Sequence, residues 1–182
     1  MREFFSAKGV FALRNLAIMS MMAALTVIFA RFDIFITQYQ RFFTVRYLPG
    51  VVVAYLFGPI AALAFGIVSD TVGFFARGGG MYHPGFAISA MVSFFIYACF
   101  LYKQKLTILR VVLARLLDVS IVVLGLNFIW LSQIMGMTAS SFYVSGRLMS
   151  HLAQFPIHVA LIYMFCRIAK DVDARSRRHA NS

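Results

Sequence analysis

Apolar residues fill long runs of the chain, broken by charges, glycine or proline, and the breaks mark the elements. The first run extends from about Phe11 to Ala30 and stops at Arg31 and Asp33, followed by a mixed stretch through Arg46. The second, Leu48 to Phe57, ends at Gly58 and Pro59, a turn signal, and a third continues from Ile60 to about Ala76. These two are predicted to form a hairpin with almost no connection, and neither is long enough to span comfortably without tilt. A fourth run starts at Pro84, whose missing N–H suits a first helical turn, and reaches about Tyr102. The fifth, from about Ile108 to Met135, is interrupted only by Arg115, Asp118 and Asn127. The sixth, from about Phe142 to Ile168, is expected to kink at Pro156, and the polar stretch after Lys170 is expected to be mobile.

Composition decides what surrounds these helices. With 62% hydrophobic residues, 20 Phe and only 6 acids in 182 residues, the chain is membrane-embedded rather than a soluble core. A span takes about 20 apolar residues, which sets a ceiling of five or six helices. The expected organisation is an all-α integral membrane domain over residues 1-170 and a polar cytoplasmic tail, 171-182, with no room for a soluble catalytic domain. The first apolar run lacks a small-residue cleavage site, so it is expected to be a retained helix rather than a removed signal peptide. Cys99 and Cys166 lie inside apolar runs without a CxxC-type neighbour and are expected to be buried free thiols. The net charge of +11 sits at helix ends instead of lining one face with aromatics, which argues for membrane topology and against nucleic acid.

Placing the N-terminus in the cytoplasm puts Arg2, Lys8, Arg14, Lys103, Lys105, Arg110, Arg167, Lys170, Arg175, Arg177 and Arg178 inside. The outer side then carries Arg31, Arg41, Arg46, Arg77 and Arg147 against Asp33. Every one of those outer cations is arginine, whose guanidinium makes paired hydrogen bonds to carboxylate or phosphate. They can grip an anionic ligand or snorkel to lipid phosphate.

The costliest polar groups lie between residues 68 and 90, where Asp70, Arg77, Gly78, Gly79, Gly80, Tyr82 and His83 meet at the junction of two apolar segments. The glycines give this loop the freedom to fold back and let a ligand approach, and the lack of a following GlyLysSer or GlyLysThr excludes a nucleotide-phosphate loop. Tyr82, His83, Phe74, Phe75 and Phe86 can stack on a flat ring or simply pack. Asp70 needs a partner, either Arg46, Arg77 or a donor on a ligand. Arg115 and Asp118, three apart, read as an intrahelical pair. Asn127, with Trp130, Ser132 and Gln133 near it, is either interhelical glue or part of a heteroaromatic-ring pocket. Arg147, His151 and Gln154 share one helix face that turns to ligand or to partner helices. Ala17, Ser20 and Ala24 form a smooth stripe that packs internally or receives another helix. There is no HisGluXaaXaaHis zinc site, no GlyXaaSerXaaGly elbow, no metal-ligand spacing among the histidines and no ATP-binding loop, so neither an enzyme nor a resident metal or cofactor is expected.

Several stretches resemble the substrate-binding S component of an energy-coupling factor (ECF) vitamin transporter, most similar to the folate type. They are ArgTyrLeuProGlyValValValAlaTyrLeuPheGlyPro (46 to 59), ValSerAspThrValGlyPhePhe (68 to 75), GlyGlyMetTyrHisProGlyPheAlaIleSerAla (79 to 90), LeuAsnPheIleTrpLeuSer (126 to 132) and Arg147 to Met149 with the later Pro156. The resemblance implies a six-transmembrane-helix S-component bundle with re-entrant outer loops acting as lids, multi-pass in a bacterial cell membrane, with both termini cytoplasmic. It implies a vitamin captured from outside, the substrate-binding residues being Arg41, Arg46, Asp70, Arg77, Gly79, Gly80, Tyr82, His83, Asn127, Trp130, Arg147 and His151. It implies a transmembrane coupling subunit docked on Ala17, Ser20 and Ala24, two ATPase subunits that hydrolyse the ATP, and transport by toppling of the whole S component in membrane lipid.

The chain departs from the folate-type pattern at His83 and Ala87, where that pattern has Phe and Thr, at Phe128 in place of Thr, and at Ser150 and His151 in place of a Lys or Gln. Folate suits a cationic mouth and an aromatic wall, since it carries two carboxylates and a pteridine. Pantothenate has one carboxylate and no ring, and hydroxymethylpyrimidine a ring and no carboxylate. They stand as alternatives, as does a self-sufficient small transporter or lipid-binding membrane protein.

Overall fold

A computed structural model describes residues 13–30, 34–37, 40–76, 83–136, 138 and 148–180. Among them are α1 (Leu13–Phe29), a hairpin of β1 (Ile34–Thr37) and β2 (Gln40–Phe43), α2 (Leu48–Phe57), α3 (Pro59–Phe75) and α4 (Pro84–Leu101). The chain continues as α5 (Ile108–Leu117), a π-helical stretch (Asp118–Leu126), α6 (Asn127–Met135) and α7 (Leu148–Ala180). Because α5, the π stretch and α6 run on without a break, the described residues form six helical segments, one for each apolar run. The exception to an all-α architecture is the hairpin, antiparallel, with Ile34 opposite Phe43 and Phe35 opposite Arg41. By length and apolarity, α4 and the His151–Asp173 part of α7 can each cross a membrane, while Asn15–Phe29, α2 and α3 are apolar but shorter.

A single residue, Gly58, joins α2 to α3 at φ 85°. That left-handed backbone excludes most side chains, and a Cβ there would also meet the Tyr102 ring at 2.8 Å. Pro59 then opens α3 where its missing N–H costs nothing. The predicted tight hairpin is therefore present, and Tyr102, just past α4, marks the end of the bundle at which it turns.

Every residue of α2 from Leu48 to Ala54 is buried, so α2 forms the centre, with α1, α3, α4 and α7 packed against it. Phe65, Tyr97, Leu101, Val111, Ala114 and Ile162 complete the core around it. Leu13, Met21, Ile28, Phe75, Ile108, Leu109, Leu152 and Ile168 point outward, as helices bathed in lipid require, since burying oily surface between them gives no net drive. Cys99 is among the outward-facing residues, which corrects the expectation of two buried thiols; Cys166 is buried.

Ten residues of α2 rise only about 15 Å, half of a hydrocarbon core of about 30 Å. The segment that feeds α2, residues 44–47, lies within the bundle. Its side chains are all half-buried, and the Tyr47 ring packs edge-on against His158, well along α7, with centroids 5.3 Å apart. Two features differ from expectation. The last helix, described from Leu148, continues through Pro156 and past Ile168 to Ala180, while its expected start near Phe142 lies outside the described residues. The fifth run is not uniform α-helix, because it widens to π geometry from Asp118 to Leu126.

Candidate functional site

The first constellation forms where α4 begins. His83 holds an extended backbone at the N-cap, and its Nδ1 accepts the Gly85 N–H at 3.1 Å. Nδ1 acts as the acceptor, so in the neutral ring the proton is on Nε2. The imidazole thereby satisfies one of the orphan donors of the first turn, a task that Ser, Asn or Asp usually performs. Gly85 has no side chain for a reason: a Cβ would lie 2.4 Å from the Trp130 indole and 2.7 Å from His83 Nδ1. Trp130, on α6, thus rests directly on the α4 backbone, and its Nε1–H donates to Ser89 Oγ at 3.0 Å. The His83 ring is 5.5 Å from that of Trp130 and 6.1 Å, edge-on, from that of Phe86. All three rings are only half-buried, leaving aromatic surface uncovered. Asn127 precedes Trp130 by three residues on the same helix face. Its Oδ1 is buried and makes no hydrogen bond among the described residues. A buried acceptor of this kind calls for a donor, from a ligand, a water or a residue outside those described.

The cap can be separated from any contact with ligand. His83→Ala is expected to lower stability by about 0.5–2 kcal/mol, whereas His83→Asn, which also caps, retains most of it. Thermal unfolding of the solubilised variants measures both.

The second constellation lies deeper. Arg115 Nη1 donates to Asp118 Oδ2 at 2.7 Å, and Ser93 and Tyr97 of α4 donate to the same carboxylate at 2.5 and 3.2 Å. Arg115 Nη2 meets His158 Nδ1 at 2.7 Å, and its Cζ sits 5.4 Å from the centre of the Tyr47 ring. Arg115 and Asp118 are each 4% exposed. The intrahelical pair expected from their spacing is thus one edge of a network that ties α4, α5, α7 and the segment before α2 together. Thr44 Oγ1 and the Tyr47 hydroxyl, above it, are buried and make no hydrogen bond among the described residues.

The other expected site residues fall unevenly. Arg41 is in β2, and Arg46 is half-buried in the turn before α2. Asp70 is half-buried on α3 and His151 half-buried on α7. Arg77, Gly79, Gly80, Tyr82 and Arg147 lie outside the described residues. Gln154 and His158 are buried, so the polar stripe on α7 does face the interior, one step further than Arg147, His151 and Gln154 alone suggest. Ala17, Ser20 and Ala24 are exposed on α1 while Met19, Ala23 and Thr26 turn inward. Sequence reasoning missed Tyr47, Ser89, Ser93, Tyr97 and His158. Only His158 carried a usable signal, four residues after Gln154.

No family model matches the chain. It is 34% identical over 145 residues to "Folate transporter FolT" of Clostridium novyi (strain NT), covering 80% of this chain and 83% of that protein. The chain belongs to the folate-type S components of ECF transporters. A solved structure described as "Crystal structure of FolT bound with folic acid" superposes with a TM-score of 0.77 at 30% identity, covering 86% of this chain and 94% of that one. The family and fold implied by the motifs between Arg46 and Pro156 are those the relatives carry. An S component is a membrane transport subunit, and its relatives are not enzymes, which fits side chains arranged for gripping and stacking.

Proposed function

We propose that this S component captures folate at the outer face of a bacterial cell membrane and delivers it in complex with a transmembrane coupling subunit and two ATPases. The observation that carries the reading is the superposition over 94% of a chain described as bound with folic acid. Local chemistry supports it. A flat pteridine stacks on the exposed faces of Trp130, His83 and Phe86, and its N–H edge can donate to Asn127 Oδ1, which has no partner among the described residues. Two glutamate carboxylates match arginine, for which Arg41, Arg46, Arg77 and Arg147 are the candidates. Asp70, Gly79, Gly80, Tyr82 and His151 are assigned to the same pocket. Pantothenate would leave the aromatic faces unused, and hydroxymethylpyrimidine would leave the arginines unused.

In this reading both termini are cytoplasmic, the Gly58 turn lies at the inner end and His83 at the outer end. The exposed face of Ala17, Ser20 and Ala24 is where the coupling subunit docks, because small side chains let a partner helix approach when oily burial gives no drive. Ser20→Trp and Ala24→Trp are expected to abolish folate uptake into vesicles that also hold the coupling subunit and ATPases, while the isolated variants bind folate as before. Loss of binding in both variants would mean that the stripe packs internally.

A further inference from the structure

A cleft opens between α4 and α5 at the Gly58 end of the bundle, far from the aromatic corner, since the 18 residues of α4 separate them by about 27 Å. Its cavity, about 280 Å³, is lined by Cys99, Phe100, Gln104, Arg110 and Leu113. Arg110, half-buried, lines it, and its Nη1 makes an exposed hydrogen bond to Gln104 Oε1 at 2.6 Å. Lys103 and Lys105 stand exposed beside it, the Lys103 ammonium 5.4 Å from the centre of the Tyr102 ring. The chain holds no acid from Met91 to Leu117, and Asp118, next along, is committed to Arg115, Ser93 and Tyr97. From the mouth the wall continues over side chains that face the hydrocarbon: Ile108, Leu109, Leu113 and Leu116 are all exposed.

A cation over an apolar wall open to lipid fits an amphiphile with a negatively charged head. We propose that this cleft holds one anionic phospholipid, its phosphate on Arg110 and an acyl chain along Cys99, Phe100 and Leu113. A guanidinium offers paired donors to phosphate, and each basic residue near an anionic leaflet adds attraction. With the orientation proposed above, the lipid belongs to the cytoplasmic leaflet. The site uses none of the groups assigned to folate, so it stands or falls separately.

The test uses the full chain, purified and stripped of lipid in neutral detergent. Phosphatidylglycerol is expected to raise the unfolding temperature more than phosphatidylcholine of the same acyl chains, and native mass spectrometry is expected to find one phosphatidylglycerol retained. Arg110→Gln removes the phosphate contact and Leu113→Trp fills the cleft without changing charge. Each is expected to lose the retained lipid and still bind folate, which shows that it is folded. Equal stabilisation by the two lipids, retention of the lipid in Arg110→Gln, or full replacement of phosphatidylglycerol by inorganic phosphate would each overturn the proposal.

Discussion

Arg115→Met is expected to destabilise this S component by about 3–5 kcal/mol, the usual cost of removing one partner from a buried ion pair. The guanidinium neutralises Asp118 at 2.7 Å in a site where both residues are 4% exposed. Without it the carboxylate keeps the hydroxyl donors of Ser93 and Tyr97 but loses its counter-charge, and His158 Nδ1 loses its donor. Arg115→Lys is expected to recover only part of the loss, because one ammonium cannot reproduce the two separate guanidinium contacts. The double change Arg115→Met with Asp118→Leu is expected to regain most of it, since an apolar replacement of a buried pair is often neutral. Denaturant unfolding followed by helical circular dichroism measures all three. A loss under about 1 kcal/mol for Arg115→Met would mean that water reaches the pair and screens it.

The second large effect is on binding. Trp130→Ala is expected to weaken folate binding by about 1–3 kcal/mol, roughly 5- to 150-fold, the range for removing an aromatic face from a stacked ring. Trp130→Phe keeps a stacking face and gives up the N–H to Ser89, so it falls between the two. Gly85→Val is the more severe change. Its Cβ would lie 2.4 Å from the indole, so Trp130 must leave its place on the α4 backbone and the corner opens. Binding below detection is expected there, with the helical content retained. Titration calorimetry measures each variant, and wild-type affinity in Trp130→Ala would remove the aromatic corner from the pocket.

Much of the fold was legible because the apolar runs and their breaks are strong signals in a membrane chain. Gly58 and Pro59 marked the α2–α3 turn, and Pro84 marked the start of α4. What escaped was three-dimensional. Trp130 stood out as a site residue, but nothing in the run from Leu126 to Ser132 says that its N–H finds Ser89 or that its ring lies on Gly85. His83, noticed as a stacking group, also proved to be a cap, because a histidine is rarely read as one. Arg115 and Asp118 were visible as a pair, yet Tyr97, Ser93 and His158 join them only through helix packing. The shortness of α2 was plain in the sequence; that Tyr47 packs against His158 and near Arg115 needed the helix placed at the centre of the bundle. The end of α7 was set near Ile168, where the apolar run stops, and the helix continues to Ala180 because polar residues such as Lys170 and Arg175 are good helix formers.

The most direct measurement is titration calorimetry of the purified chain, without coupling subunit or ATPases, against folic acid, pantothenate and hydroxymethylpyrimidine in turn. A folate-capturing S component gives saturable one-to-one binding of folic acid and no comparable binding of the other two. Absence of folate binding, or tighter binding of pantothenate or hydroxymethylpyrimidine, would contradict it.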